Sequence, residues 1–144
     1  MLEVRPASAA EVRGVQLRVL RPHGPLPGDG EHPPDWLHYA AWLDGRVVGA
    51  CSVGPGAWPH PELAQLAEPH WQLRSMAVLP PARGGTGTRL LAAAVAGAQQ
   101  AGSGGLWAQA RCEAVSLYTR AGWRVVGDQW WKPGVGPHRY VVLG

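Results

Sequence analysis

A strand that leads through a glycine-rich turn into a helix constrains this chain more than any other feature of its sequence. Residues 71–79 are typical of a strand, and the turn that follows reads Arg83-Gly84-Gly85-Thr86-Gly87-Thr88. We expect a helix over 88–101 after it. Glycines let the backbone approach a ligand closely, and the first turn of a helix has unsatisfied N–H groups. The turn is therefore suited to bind a phosphate, with Thr86 and Thr88 as further donors and Arg83 or Arg89 as a cation.

The turn by itself does not identify a ligand. Glycine-rich turns between a strand and a helix also occur for purely conformational reasons. The P-loop pattern Gly-x-x-x-x-Gly-Lys-Ser/Thr is absent, as is Gly-x-Gly-x-x-Gly opening a first strand–helix unit. These two common nucleotide-binding classes are thereby excluded.

The rest of the chain predicts one mixed α/β domain that spans residues 1–144. We expect strands over 2–5, 38–43, 46–53, 71–79, 105–110, 123–126 and 139–143, and helices over 9–20, 88–101 and 113–121. Ser8 and Glu11 have capping-box spacing before the first helix. Asp44-Gly45 predicts a type I′ hairpin turn. The proline- and glycine-rich segment 21–35 predicts a long loop, which either lies over a substrate site or is disordered.

Composition excludes several classes of function. The 144 residues carry a net charge of +3, and the arginines are scattered rather than gathered in a stripe, which argues against nucleic-acid binding. No apolar run approaches the roughly 20 residues of a membrane span. The six histidines and two cysteines lack the spacings of a metal site. No export signal precedes the first strand, so we expect a soluble cytoplasmic protein with free thiols.

Two segments carry a resemblance to a known family. The run from Leu73 to Leu91 resembles the central motif of the GNAT superfamily of N-acetyltransferases, in which [Gln/Arg]-x-x-Gly-x-[Gly/Ala] follows a strand that ends in Val-x-Pro. The run Ala114-Val115-Ser116-Leu117-Tyr118-Thr119-Arg120-Ala121-Gly122-Trp123 resembles the family's Ala-x-x-x-Tyr-x-x-x-Gly-Phe. Residues 134–138 resemble the ending of an uncharacterised branch. The resemblance is close over 71–143 and extends only to element order before that.

The glycine turn departs from the family pattern in its length. Counted from Pro80, Arg83 and Gly84 take the family's Arg-Gly positions. Counted back from Leu90, Gly85 and Gly87 take the two glycine positions instead. A deletion of one residue satisfies both counts, so the register of the phosphate donors is open by one residue.

The resemblance implies the acyl-CoA N-acyltransferase fold. That fold is a mixed, mostly antiparallel sheet of six to seven strands with a splayed strand pair and three to four helices on its two faces. The implied reaction transfers an acetyl group from acetyl-CoA to a primary amine of a small molecule or peptide, by direct attack in a ternary complex. A non-catalytic domain that binds or senses acyl-CoA is the alternative. A homodimer is common in the family.

The resemblance also implies roles for individual residues. The cofactor-binding residues would be Met76, Ala77, Val78, Arg83, Gly84, Gly85, Thr86, Gly87, Thr88 and Gln109. Tyr118 would protonate the leaving thiolate, although a core tyrosine also fits its position. Arg74 could recognise an acidic acceptor and His138 could reach the acceptor pocket. The general base is not visible: Glu113, His70, His38 and His138 are candidates by chemistry only, His138 is the best placed of the histidines, and a water chain could carry the proton instead.

Overall fold

Seven strands and three helices account for most of the chain. The computed structural model describes residues 1–27, 29 and 32–144. The strands are β1 (Leu2–Ala7), β2 (Leu37–Leu43), β3 (Arg46–Pro55), β4 (Trp71–Val78), β5 (Leu106–Arg111), β6 (Arg124–Lys132) and β7 (Gly136–Leu143). The helices are α1 (Ala9–Leu20), α2 (Thr86–Gln100) and α3 (Val115–Arg120), with short 3₁₀ turns at Pro80–Ala82 and Cys112–Ala114. None of the helices within these residues is long and apolar enough to cross a membrane.

All seven strands form one sheet in the order β1-β2-β3-β4-β5-β7-β6. Every neighbouring pair is antiparallel except β4 and β5, which run parallel. The expected mixed, mostly antiparallel sheet is therefore confirmed, and so is its number of strands.

The two long helices cover opposite faces of the sheet. Val12 and Val15 of α1 pack in one buried cluster with Ala40 and Ala50. The adjacent strand residues, Ala41 and Cys51, belong instead to the cluster that contains Leu90 and Leu91 of α2. Because successive strand residues point to opposite faces, α1 and α2 lie on different sides. The helix α3 lies on the α2 side, since its Tyr118 shares that cluster.

Local sequence signals account well for α1 and the first hairpin. The Glu11 N–H donates to Ser8 Oγ at 3.1 Å and the Ser8 N–H donates to Glu11 Oε1 at 2.9 Å, which completes the predicted capping box. Asp44 and Gly45 both have positive φ, at 51° and 79°, as a type I′ turn requires.

Several predicted boundaries were wrong. The helix α2 begins at Thr86 rather than residue 88, because Gly85 adopts a left-handed conformation and serves as the N-cap. The helix α3 begins at Val115, after a 3₁₀ turn. The strand β6 continues well past residue 126, since a bulge around Gly127 interrupts pairing without ending the strand.

Gly54 of β3 is required because the indole of Trp36 packs directly over it. A Cβ added there would overlap the Trp36 ring. We expect Gly54→Ala to lower the free energy of unfolding by about 1–3 kcal/mol, the usual cost of overpacking. Urea denaturation measures the effect. Gly14→Ala is the control: its Cβ meets nothing within 4 Å on α1, so that change should raise stability by about 0.5–1 kcal/mol. Equal stability for the two variants would contradict this packing.

Candidate active site

A cleft opens where β4 and β5 diverge. The two strands pair at only three positions, from Trp71 opposite Leu106 to Leu73 opposite Ala108. On its other edge β4 remains paired with β3 as far as Val78. The β5-facing edge of β4 is therefore open beyond Leu73, and this is the predicted splayed strand pair.

A bulge in β4 explains why the strands separate. Ser75 has φ of 58°, and the register of β3 against β4 shifts between Ala50 and Ser52. The buried Gln16 amide of α1 holds this bulge, because its Nε2 donates to Ser52 Oγ at 2.9 Å and to the Ser75 carbonyl at 3.3 Å. A bulge bends its strand and increases the local twist, which directs β4 away from β5.

A cavity of about 170 Å³ lies at this divergence. It is bounded by α1, the loop after α1, the open parts of β4 and β5, the start of α3, and the β6–β7 hairpin. Its lining residues are Arg13, Gln16, Leu17, Leu20, Arg21, Asp29, His32, Gln72, Leu73, Arg74, Ser75, Met76, Gln109, Ala110, Arg111, Ala114, Tyr118, Lys132, Val135 and His138. The structure thus brings together five of the residues singled out from the sequence: Arg74, Met76, Gln109, Tyr118 and His138.

Tyr118 is a buried phenol that lines the cavity. Its ring is buried and packs edge-on against Trp123, with centroids 5.2 Å apart. Within the described part of the chain, its hydroxyl makes no hydrogen bond, so it is free to interact with a ligand. Burial raises the pKa of this phenol well above its usual value. Tyr118 therefore keeps its proton throughout the physiological pH range.

His138 is arranged to accept a proton. Its Nδ1 lies 2.9 Å from the Gly136 carbonyl oxygen, which can only accept, so Nδ1 carries the hydrogen. In the neutral ring Nε2 is then unprotonated. Burial lowers the pKa of His138, and the nearby positive charge of Lys132 acts in the same direction. The imidazole is therefore neutral at pH 7.

The other proposed bases have different surroundings. Both ring nitrogens of His70 are engaged, since Nδ1 accepts from the Trp58 N–H and Nε2 donates to the Leu66 carbonyl. His38 is buried against Ser52 Oγ at 2.7 Å. Glu113 is exposed. None of the three lines the cavity, which leaves His138 as the candidate among the four.

The glycine turn lies outside the cavity, at the start of α2. Gly84 and Gly85 have φ of 118° and 107°, and a Cβ on either would meet nothing within 4 Å. The surface is therefore open beside these two glycines, and among the described residues the first turn of α2 has no side-chain cap and no acidic residue. The Thr86 hydroxyl was expected to be a ligand donor, and this is wrong: Thr86 is buried and donates to the Ala82 carbonyl. The exposed Arg83 donates from Nε to the Val78 carbonyl at 3.2 Å.

Sequence reasoning missed most of the charged residues in the cavity. Arg13, Gln16, Leu17 and Leu20 are spaced i, i+3, i+4 and i+7, so helical periodicity could have placed them on one face. The loop 21–35 does reach the cavity, through Arg21, Asp29 and His32. Its residues Gly28, Gly30 and Glu31 lie outside the described part of the chain. No short-range signal links Arg111 and Lys132 to the site.

The amino-acid sequence is similar to those of known acetyltransferases. The model of the acetyltransferase (GNAT) family matches residues 14–123. An uncharacterised N-acetyltransferase of Bacillus subtilis (strain 168), YitI, is 28% identical over 142 residues, which cover 96% of this chain and 93% of that protein.

Solved structures show the same fold at low sequence identity. An acyl-CoA N-acyltransferase from Pseudomonas aeruginosa superposes with a TM-score of 0.74 at 18% identity and covers both chains completely. A GNAT family acetyltransferase from Elizabethkingia anophelis, solved with acetyl-CoA bound, gives a TM-score of 0.69 at 14% identity, covering 99% of this chain and 97% of that one. These structures share the fold, and the family model, which spans well over half of the sequence, shows that the chain belongs to the acetyltransferase (GNAT) family.

Proposed function

We propose that this protein transfers an acetyl group from acetyl-CoA to a primary amine in a ternary complex. The observation that carries the proposal is the cavity between the divergent β4 and β5, into which the chain brings a buried tyrosine and a neutral histidine. Membership of the acetyltransferase (GNAT) family supports the same reaction.

The cofactor would follow β4 from the start of α2 to Tyr118. Its pyrophosphate would accept hydrogen bonds from the N–H groups of the turn 84–88, where the helix dipole favours an anion, with Arg83 close by. The pantetheine amides would pair with the open edge of β4 at 76–78, as an added strand does. Because three strand residues span about 10 Å, this edge can pair with about that length of the extended pantetheine arm. Gln109 of β5 would be the polar group on the opposite wall.

The chemical step needs a deprotonated amine, a stabilised oxyanion and a protonated leaving group. The amine nitrogen attacks the thioester carbonyl and loses its proton to His138, while a backbone N–H near Val78 donates to the oxyanion. The C–N bond forms, the C–S bond breaks, and the phenol of Tyr118 gives its proton to the departing sulfur. Burial keeps the phenol of Tyr118 protonated until the thiolate forms beside it.

Product analysis tests this proposal. The protein is incubated with acetyl-CoA and a panel of amines, amino acids and peptides, and the products are examined by mass spectrometry. We expect one acetylated amine for each free thiol released. Stable acetylation of the protein itself, with no acetylated amine, would contradict direct transfer.

The role of His138 predicts a specific pH profile. The base must be neutral, so kcat/KM, expressed per unprotonated amine at each pH, should be at its plateau above the pKa of His138 and fall as pH decreases through it. Because burial lowers that pKa, the acid limb should lie below pH 6.5. His138→Gln should lower the plateau about 10²-fold or more and remove this limb. An unchanged acid limb in this variant would show that another group is the base. His70→Gln is the matched control and should keep the acid limb, because His70 does not line the cavity.

A further inference from the structure

The acceptor cavity carries more positive charge than the catalytic step uses. Five arginine and lysine side chains line it, against one acid, Asp29, in the described part of the chain. Asp29 is fully engaged by Arg21, with Nε–Oδ2 and Nη2–Oδ1 distances of 2.6 and 3.0 Å, and it also accepts from the Leu26 N–H. Asp29 also lies close enough to Lys132 to raise its pKa, but one carboxylate does not neutralise five cations.

Four cations are left, and they come from four different elements: Arg13 of α1, Arg74 of β4, Arg111 of β5 and Lys132 of β6. None of them forms an ion pair with any described acid. Their only described hydrogen bonds are to neutral groups, from Arg111 Nη2 to the Leu20 carbonyl at 2.8 Å and from Lys132 Nζ to Gln109 Oε1 at 3.4 Å. Burial lowers the pKa of Lys132, and the neighbouring Arg21 and Arg74 lower it further.

Such a cluster is costly without an anion, because like charges repel and because the partial burial of Arg13, Arg111 and Lys132 removes part of their hydration, although Arg74 is exposed. The phosphates of the cofactor do not serve this purpose in the proposed complex. No residue of the turn 83–88 lines the cavity, and the pyrophosphate would bind at that turn. The four cations instead line the same cavity as Tyr118, where the acceptor must meet the thioester.

We propose that the acceptor is a small amine that also carries an oxyanion, a carboxylate or a phosphate, and that Arg13, Arg74, Arg111 and Lys132 bind this group. The inference rests on the proposed function and narrows its substrate class. Guanidinium groups bind either oxyanion through paired hydrogen bonds. The same positive charge disfavours the ammonium form of the amine and so favours the nucleophile.

Matched amines that differ in charge test the proposal. We compare kcat/KM for glycine with glycinamide, β-alanine with β-alaninamide, and O-phosphoethanolamine with ethanolamine, at saturating acetyl-CoA. For at least one pair, kcat/KM for the anionic amine should exceed that for its neutral partner about tenfold or more, which is the effect of one charged hydrogen bond. The first two pairs report a carboxylate and the third a phosphate. Equal rates within all three pairs would overturn the inference while leaving the acetyltransferase proposal intact.

Two arginines on α1 provide a matched control. Arg13 lines the cavity, whereas Arg18 is exposed and does not. Arg13→Gln and Arg74→Gln should each reduce the anionic preference by about fivefold or more without changing KM for acetyl-CoA more than twofold, and Arg18→Gln should change neither. An Arg13→Gln variant that loses only acetyl-CoA affinity would assign the cluster to the cofactor and overturn the inference.

A binding measurement separates this inference from the proposed function. With saturating CoA present to occupy the phosphate turn, inorganic phosphate and malonate are titrated by calorimetry. At least one of the two anions should bind to the wild type and to Arg18→Gln with similar Kd values. Its Kd for Arg13→Gln should be about fivefold higher or more. If no amine is acetylated but this pattern holds, the anion site stands and the transfer reaction fails. If neither anion binds, the inference fails whatever the turnover.

Discussion

Tyr118→Phe is expected to lower kcat by about 10²–10³-fold while leaving the acetyl-CoA Kd within about twofold, because general acid catalysis usually contributes about 10²–10⁴-fold. The substitution removes only the hydroxyl. The ring remains buried against Trp123, and the hydroxyl makes no hydrogen bond to any described residue that its loss could disrupt. Steady-state kinetics and calorimetric titration of acetyl-CoA measure the two effects separately.

Tyr39→Phe is the control for that result. Tyr39 lies partly buried on β2 and does not line the cavity, so its kcat should equal that of the wild type. A Tyr118→Phe variant with more than half of the wild-type kcat would show that the thiolate obtains its proton from another group. Loss of acetyl-CoA binding in the same variant would instead assign Tyr118 to cofactor recognition.

Gly85→Ala is expected to weaken acetyl-CoA binding by at least about tenfold. Gly85 has φ of 107°, where a residue with a Cβ costs roughly 1–2 kcal/mol, so the backbone at the start of α2 should shift. That shift would move the first N–H groups of the helix away from the pyrophosphate. The loss of a single charge-assisted hydrogen bond accounts for about a tenfold change. The acetyl-CoA Kd measures this effect.

Gly102→Ala controls for the strain itself. Gly102 follows the other end of α2, has φ of 90°, and has nothing within 4 Å of an added Cβ. Both variants should lose similar stability in urea, but only Gly85→Ala should lose affinity for acetyl-CoA. Equal Kd values for the two variants would show that the pyrophosphate binds elsewhere.

The parts of the fold that follow from neighbouring residues were predictable. The capping box of Ser8 and Glu11 and the Asp44-Gly45 turn are local, and both form as expected. The order of elements followed from apolar periodicity and turn signals along the chain, whereas the splayed strands followed from the resemblance to the family. The start of α2 was misplaced by two residues, because Gly85 caps the helix through a left-handed conformation that sequence periodicity does not reveal.

The charge of the cavity depends on the tertiary structure. Lys132 reaches the cavity because β6 continues through the bulge at Gly127, whereas the sequence predicts an end at residue 126. Arg13 reaches it because α1 packs over the bulged β4, which the buried Gln16 amide fixes in place. Neither relation is visible along the chain, so the placement of Arg13 and Lys132 emerged only from the structure, whereas Arg74 and His138 were already expected on the acceptor side.

The dependence of thiol release on amine concentration tests the central claim most directly. With acetyl-CoA held constant and O-phosphoethanolamine, β-alanine and a broad panel of other amines varied, the initial rate of CoA thiol release should rise to a plateau for at least one amine. Rates measured over a range of acetyl-CoA concentrations should give intersecting double-reciprocal lines, as a ternary complex requires. Tight binding of acetyl-CoA with no amine-dependent release would contradict the account and favour a domain that senses acyl-CoA.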